Sequence, residues 1–339
     1  MEYLMEHLSP LLKSAYSGQI LNRDEMQDLI AFLISGQADP AQIAGALVGL
    51  ALRGETSDEI AGAARAMRAA MRPFAASPEA IDVCGTGGDG SGSLNISTAV
   101  AFVVAGAGVP VAKHGNRAQS SKSGAADVLA ALGLNLDAEQ SKVEAAFIRA
   151  RTAFILAPRH HPALRFVGPI RQTLGIRTLF NLLGPLCNPA GVQRQLLGVF
   201  SPDWLNKMAL AARELGSQSA WFVHGDGMDE LTIAGVSQVV ELKDGLIKPF
   251  EIQPEDAGLT RHPIAELAGG DAEFNAAAMV DLFDGAPGAY REAVLLNAAA
   301  ALRVAGAETN LKSAAALAAQ SLDQGKAGAA LKTLVEGSA

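Results

Sequence analysis

Nine consecutive residues, Gly85-Thr86-Gly87-Gly88-Asp89-Gly90-Ser91-Gly92-Ser93, include five glycines. A predicted strand at 80–84 precedes them, and a helix-forming stretch begins at Asn95-Ile96-Ser97-Thr98. Glycines let main-chain N–H groups approach an anion closely, and a helix start aims its free amides and the positive end of its dipole at the same place. The chemistry this predicts is a phosphate cradle. The alternative is a flexible surface turn, which seldom needs so many glycines between a buried strand and a helix.

The same string satisfies G-x-G-x-x-G through Gly85, Gly87 and Gly90, the fingerprint of dinucleotide-binding folds. That fingerprint needs an acid about 20 residues further on to hold a ribose hydroxyl. No Asp or Glu occurs between Gly90 and Ala126, so a nicotinamide site is disfavoured. With 35 acids in 339 residues, this 37-residue window should hold roughly four, yet it carries only Lys113, His114, Arg117 and Lys122 as titratable side chains. The run Lys113-His114-Gly115-Asn116-Arg117-Ala118-Gln119-Ser120-Ser121-Lys122 follows a predicted strand and leads to a helix, so its cations, amides and hydroxyls suit a polyanion at the carboxyl edge of a sheet. Taken alone, that loop reads equally well as ordinary polar surface.

Downstream, Asp226, Asp229 and Glu230 fall within five residues on a glycine-containing loop. Such carboxylates repel one another unless a cation neutralises them. Magnesium held by one or two carboxylates and by substrate phosphates is the usual arrangement, and a solvated acidic turn is the alternative. No Ser-His-Asp or Cys-His arrangement declares itself. Cys84 and Cys187 are the only cysteines, too few for a disulfide framework or a four-sulfur zinc site.

These residues must be positioned by two kinds of element. Residues 1–72 read as a small helical unit. Asn22 with Glu25 and Thr56 with Glu59 make capping boxes, and Asp39-Pro40 sets an N-cap followed by proline at the first helical position. Apolar side chains then recur on one face: Met26, Leu29, Ile30 and Leu33; Ile43, Leu47 and Leu50; Ile60, Ala64, Met67 and Met71. Short amphipathic helices need a partner surface, supplied by one another or by a second copy of the chain.

From residue 73 to 339, short apolar runs alternate with helical stretches, the pattern of an α/β fold with a mostly parallel central sheet flanked by helices. Strands are predicted at 80–84, 109–112, 153–156, 195–200 and 220–223, and a hairpin at 238–242 and 246–252 around Asp244-Gly245. Helices are predicted at 97–107, 123–132, 138–149, 202–215, 272–282, 289–305 and 311–322. The proline- and arginine-rich stretch 160–188 interrupts the alternation and is expected to be helical, irregular and shared between the two units.

The bulk properties set limits. Hydrophobic residues make up 49% of the chain, enough for a large core, and the net charge of −8 argues against a broad basic face for nucleic acid. The longest run of small and apolar residues, at 99–112, is shorter than the about 20 residues a membrane span needs. With two glutamates near the N-terminus instead of positive charge, a cytoplasmic protein is expected.

The motifs DVCGTGGD, NISTA, KHGNRAQSSKSGAADVLAALG and MDELT, together with the Arg171 and 181–189 regions, resemble the anthranilate phosphoribosyltransferase family over nearly the whole chain. The resemblance implies an enzyme that moves a phosphoribosyl group from phosphoribosyl pyrophosphate (PRPP) to the amino nitrogen of anthranilate in tryptophan biosynthesis. It also implies a helical domain of residues 1–72 with added helices from about 160–189, a catalytic α/β domain of 73–339, and a homodimer formed through the helical part. It assigns PRPP to Gly85, Gly88, Asp89, Ser93, Asn95, Ile96, Ser97 and Thr98 and to Lys113, His114, Gly115, Asn116, Arg117, Ala118, Gln119, Ser120 and Ser121. Mg2+ falls to Ser97, Asp229 and Glu230. Anthranilate falls to Gly85, Asn116 and Arg171, with His114 and Pro185 lining its path, and no dedicated base is implied. Two departures are visible: Ser93 where threonine is common, and Ala125 where serine is usual. Pyrimidine nucleoside phosphorylases share the implied fold, but the Asp229-Glu230 pair favours a metal-bound pyrophosphate donor. A nucleic-acid-binding paralogue is disfavoured by the intact motifs and the acidic charge.

Overall fold

A computed structural model describes residues 2–118 and 122–339. The first unit contains α1 (Glu2–Tyr16), α2 (Arg23–Leu33), α3 (Pro40–Arg53) and α4 (Ser57–Ala70). All three expected caps form: Asn22 accepts from Glu25 N–H while Glu25 returns a carboxylate to Asn22 N–H, and Asp39 with Gln42 and Thr56 with Glu59 repeat the exchange. Each such cap is worth about 1 kcal/mol against alanine. Glu59 does more than cap, because its buried carboxylate also accepts from Leu21 N–H (3.0 Å) and Arg53 Nη2 (2.6 Å), tying α4 to the α1–α2 connection and to the end of α3. The sequence signals do not single out α1, which carries Pro10 inside it and no capping box.

The α/β unit follows as β1 (Ile81–Gly85), α5 (Ile96–Gly106), β2 (Val111–Gly115), α6 (Ala125–Ala131), α7 (Gln140–Ala150) and β3 (Thr152–Leu156). Three short helices, α8 (Ala157–His160), α9 (Gly168–Leu174) and α10 (Phe180–Leu186), fill the irregular stretch. Then come β4 (Arg194–Gly198), α11 (Leu205–Glu214), β5 (Ser219–Gly225), β6 (Ser237–Lys243), β7 (Leu246–Ile252), α12 (Ala272–Phe283), α13 (Ala289–Ala305), α14 (Leu311–Asp323) and α15 (Lys326–Ser338). β2 begins two residues later than the apolar run predicts. Pro110 has no N–H to give a ladder; its carbonyl accepts from Ile81 N–H, and the register with β3 starts at Val111. The stretch 202–215 opens with a 3-10 turn, Pro202–Trp204, before α11. The final helix, α15, is unannounced in sequence because it follows Gly325 without a side-chain cap.

The sheet order is β3-β2-β1-β4-β5-β6-β7, parallel through β5 and antiparallel at β6 and β7. Asp244 and Gly245, both at positive φ (50° and 79°), make the tight β6–β7 turn. Alternate residues of one strand supply opposite cores, as the two-residue period of a strand requires. Leu196, Trp221 and Val239 pack with α5, α13 and α14, whereas Leu197, Phe222 and Val240 pack with α11, the N-terminal helices and α10. The helical unit thus shares its core with one face of the sheet. Among the described residues no helix is long and apolar enough to cross a membrane.

The strand order reverses between β1 and β4. In open α/β sheets the crevice at the carboxyl ends of such a pair is where ligands bind.

Candidate active site

The ends of β1 and β4 are glycines, Gly85 and Gly198, for a steric reason. A Cβ on Gly85 would collide with Asp229 Oδ2, and one on Gly198 with the Asp229 main-chain carbonyl. The loop after β5 therefore lies directly over both strand ends and delivers the carboxylates to the switch point. Asp229 Oδ2 accepts from Gly87 N–H (2.6 Å), Asp229 N–H points to Asp89 Oδ2 (3.3 Å), and Glu230 Oε1 accepts from Ser97 N–H (3.0 Å) at the start of α5. Two stretches 133 or more residues apart in sequence thus meet through their own groups. Asp226 does not join them, because it sits in the turn at positive φ and accepts from Thr232 Oγ1.

Both carboxylates keep some accessible surface, but protein surrounds them. Loss of solvation and then the neighbouring Asp89 raise Asp229 to about 7; loss of solvation and then Asp229 raise Glu230 to about 8. Two hard oxygen donors held close together and largely out of solvent are a fitting site for Mg2+. Among the described residues no group of three or more His, Cys, Asp and Glu side chains is arranged to hold a metal.

The expected helix start is present, with a different cap. Asn95 makes no side-chain bond to its own helix; its Oδ1 accepts from Asn275 Nδ2 (2.8 Å), and Glu230 serves the α5 amide instead. Ile96 and Thr98 are buried in the core, and the Ile96 N–H already donates to Leu94 O (2.8 Å), so neither side chain, nor the Ile96 amide, is open to a ligand. Ser93 bridges to Ala268 and shares a hydroxyl contact with Ser91.

The second loop is less cationic than its composition implies. Lys113 is buried and donates to Val83 O (2.6 Å) and Ser97 Oγ (3.2 Å), so its ammonium lies between β1 and the start of α5. Gly115 ends β2, Asn116 and Arg117 are exposed, and Arg117 pairs with Asp127 (3.2 Å), the first acid after the carboxylate-free window. Asp127 also accepts from Ala118 N–H and Gly124 N–H, pinching the neck of the loop. Gln119, Ser120 and Ser121 lie outside the described residues.

His114 is neutral. Burial and the nearby His161 depress it to about 3, while His161, depressed by burial and by His160, lies at about 4. The two rings lie 5.1 Å apart, and His114 Nδ1 contacts Gly184 O beside the buried Pro185. A histidine whose folded value lies below its usual 6.5 leaves the unfolded chain holding more protons between the two values. The stability these groups contribute is full above about 6.5 and falls as pH drops toward their folded values. We expect no His114 or His161 imidazole titration by NMR between pH 5 and 8; a midpoint near 6.5 at either ring would contradict this environment.

Arg171, on α9, is half-buried. Burial lowers its pKa, its guanidinium lies 5.4 Å from the Phe180 ring centroid, and its polar contact is a long one to Asn181 Oδ1 (3.5 Å). It makes no salt bridge among the described residues. Nearby in sequence, Arg177 donates to Gly88 O and stacks on Phe200 (4.3 Å), fastening the α9–α10 connection to the glycine loop. A cavity of about 320 Å³ lined by Arg72, Phe74, Leu136, Arg159, His160 and Leu334 contains none of these site residues.

Comparison with known proteins decides the family. The glycosyl transferase family a/b domain matches residues 77–328, and its helical bundle domain matches residues 9–71. An anthranilate phosphoribosyltransferase from Rhodopseudomonas palustris (strain TIE-1) is 53% identical over 336 residues, 99% of each chain. The chain belongs to the anthranilate phosphoribosyltransferase family. The anthranilate phosphoribosyltransferase from Thermus thermophilus superposes with a TM-score of 0.92 at 45% identity, covering 96% of this chain and 98% of that one. The Saccharomyces cerevisiae anthranilate phosphoribosyltransferase in complex with PRPP and Mg gives 0.88 at 27%, covering 97% and 98%. The family's α/β glycosyltransferase fold is thus the one described above. Ala125 is the first residue of α6, its Cβ 3.6 Å from where a Cβ on Gly115 would lie. Sequence reasoning missed Gly198, Asp127 and Arg177, and also Asn297 on α13, which binds the main chain of Leu231. The signal for the last was available: one amide in an otherwise apolar helical run at 293–302.

Proposed function

We infer that this chain transfers the 5-phosphoribosyl group from PRPP to the amino nitrogen of anthranilate, giving N-(5-phosphoribosyl)anthranilate and pyrophosphate. The observation that carries this reading is the meeting of the glycine loop, the start of α5, Lys113 and the Asp229-Glu230 pair at the β1–β4 switch point. The names of the relatives supply the acceptor.

The chemistry suits that set of groups. The amine lone pair forms the C–N bond at C1 of the sugar, the C1–O bond electrons leave with pyrophosphate, and the nitrogen then loses one proton. Charge grows on the leaving group, so main-chain amides and Lys113 are the groups whose placement counts. Ser97, Asp229 and Glu230 would hold Mg2+, which when bound supplies further neutralisation of the pyrophosphate. An aromatic amine is neutral at pH 7 and already nucleophilic, so the chain's task is largely to hold the two substrates in line. Arg171 is the proposed partner of the anthranilate carboxylate, with Gly85, Asn116, His114 and Pro185 about the ring.

Pyrophosphate release that requires both substrates tests the reading. Phosphorolysis of thymidine or uridine in its place would overturn it in favour of a nucleoside phosphorylase.

We also propose a homodimer formed through the helical unit. Tyr16, Ile20 and Leu52 are apolar and 45%, 68% and 85% exposed around the end of α1 and on α3, a surface suited to a second copy. Light scattering should give twice the 35.0 kDa of one chain, and a protomer mass at micromolar concentration would contradict it.

A further inference from the structure

Helix α13 buries twelve residues, and Asn297 is the one polar side chain among them. Asparagine is a poor helix former, and a buried amide is costly unless fully bonded. This one is bonded at both ends. Its Oδ1 accepts from Leu231 N–H (3.0 Å), and its Nδ2 donates to Leu231 O (3.0 Å) and to Ala293 O (3.0 Å). Both main-chain groups of the residue immediately after Glu230 are thereby fixed by a single side chain.

Seven residues earlier, on the same face of the helix, the Tyr290 hydroxyl donates to Asn95 O (3.1 Å). Asn95 precedes α5, whose Ser97 N–H donates to Glu230 (3.0 Å). The connections form a closed ring: Asn297 to Leu231, Glu230 to Ser97, Asn95 to Tyr290, and back along α13. Seven residues of α-helix span about 10 Å and deform little.

We propose that Asn297 and Tyr290 are positioning residues, and that α13 is a spacer of fixed length holding the Glu230 carboxylate in register with Ser97 so that the pair can take a divalent cation. The proposal rests on the reading that Ser97, Asp229 and Glu230 hold Mg2+. A purely structural anchor would lower stability without a selective effect on the cation.

The test uses Mn2+ as a spectroscopic probe, titrated by water-proton relaxation into the full-length protein with PRPP present. Three proteins are compared: the parent, Asn297→Ala and Tyr290→Phe. The parent should bind Mn2+; its failure to do so would overturn the metal reading itself. Asn297→Ala should weaken Mn2+ binding by about tenfold or more, in the range known for partners that orient metal ligands, and Tyr290→Phe should weaken it in the same direction. The KM for anthranilate should stay within about twofold in both, since that substrate makes no use of the pair. Folded variants that bind Mn2+ within about twofold of the parent, or that raise the anthranilate KM in step, would overturn the proposal. If circular dichroism shows that Asn297→Ala does not fold, Tyr290→Phe, which removes one oxygen and keeps its ring packed, decides the matter.

Discussion

The double variant Asp229→Asn/Glu230→Gln is expected to turn over about 100- to 1,000-fold more slowly than the parent while unfolding at the same temperature or a higher one. The two halves of this result have one cause. Amide side chains keep the oxygens that accept from Gly87 N–H and Ser97 N–H, so the loop can stay seated on Gly85 and Gly198. What is lost is the capacity for negative charge at a place where loss of solvation, with Asp89 beside Asp229 and Asp229 beside Glu230, holds both groups well above the usual carboxylate range. Removing that repulsion favours the fold in metal-free buffer. It also removes the charge that draws a divalent cation to the pyrophosphate. Turnover should no longer saturate at the parent's Mg2+ concentration. An unchanged Mg2+ titration would contradict the assigned role, and a large drop in melting temperature would show that the pair is structural.

Arg171→Ala should raise the KM for anthranilate by about 10- to 100-fold and leave that for PRPP within about twofold, the expected cost of one bidentate charge-assisted contact. The basis is a guanidinium that is half out of water, stacked near Phe180 and without a carboxylate partner among the described residues. A cation so placed gains most from an anion brought by a ligand. Arg171→Lys should recover part of the effect, since it keeps the charge but not the planar fork. Equal rises for both substrates would remove Arg171 from the acceptor site.

The parts legible in sequence are those set by near neighbours. The caps at Asn22, Asp39 and Thr56, the Asp244-Gly245 turn and the glycine-rich loop each depend on a few consecutive residues, and each is found where the pattern places it. The parts that were not legible depend on contacts between distant stretches. That Gly198 must be glycine follows only from the passage of Asp229 above it, and Asn297 matters only because Leu231 lies beside it. Composition misled in one respect for the same reason. A window without acids reads as uniformly cationic, but folding buries Lys113, keeps His114 neutral and brings Asp127 onto Arg117. The proposed binding of PRPP therefore rests more on main-chain amides and Lys113 than on a ring of exposed cations.

The central claim is the identity of the two substrates, and anthranilate fluorescence tests it most directly. The purified chain, PRPP and Mg2+ should together abolish the anthranilate signal as the N-phosphoribosyl product forms, with one pyrophosphate released per anthranilate consumed. Omission of any one component should leave the signal intact. Persistence of fluorescence with all three present, in a protein shown to be folded, would contradict the account.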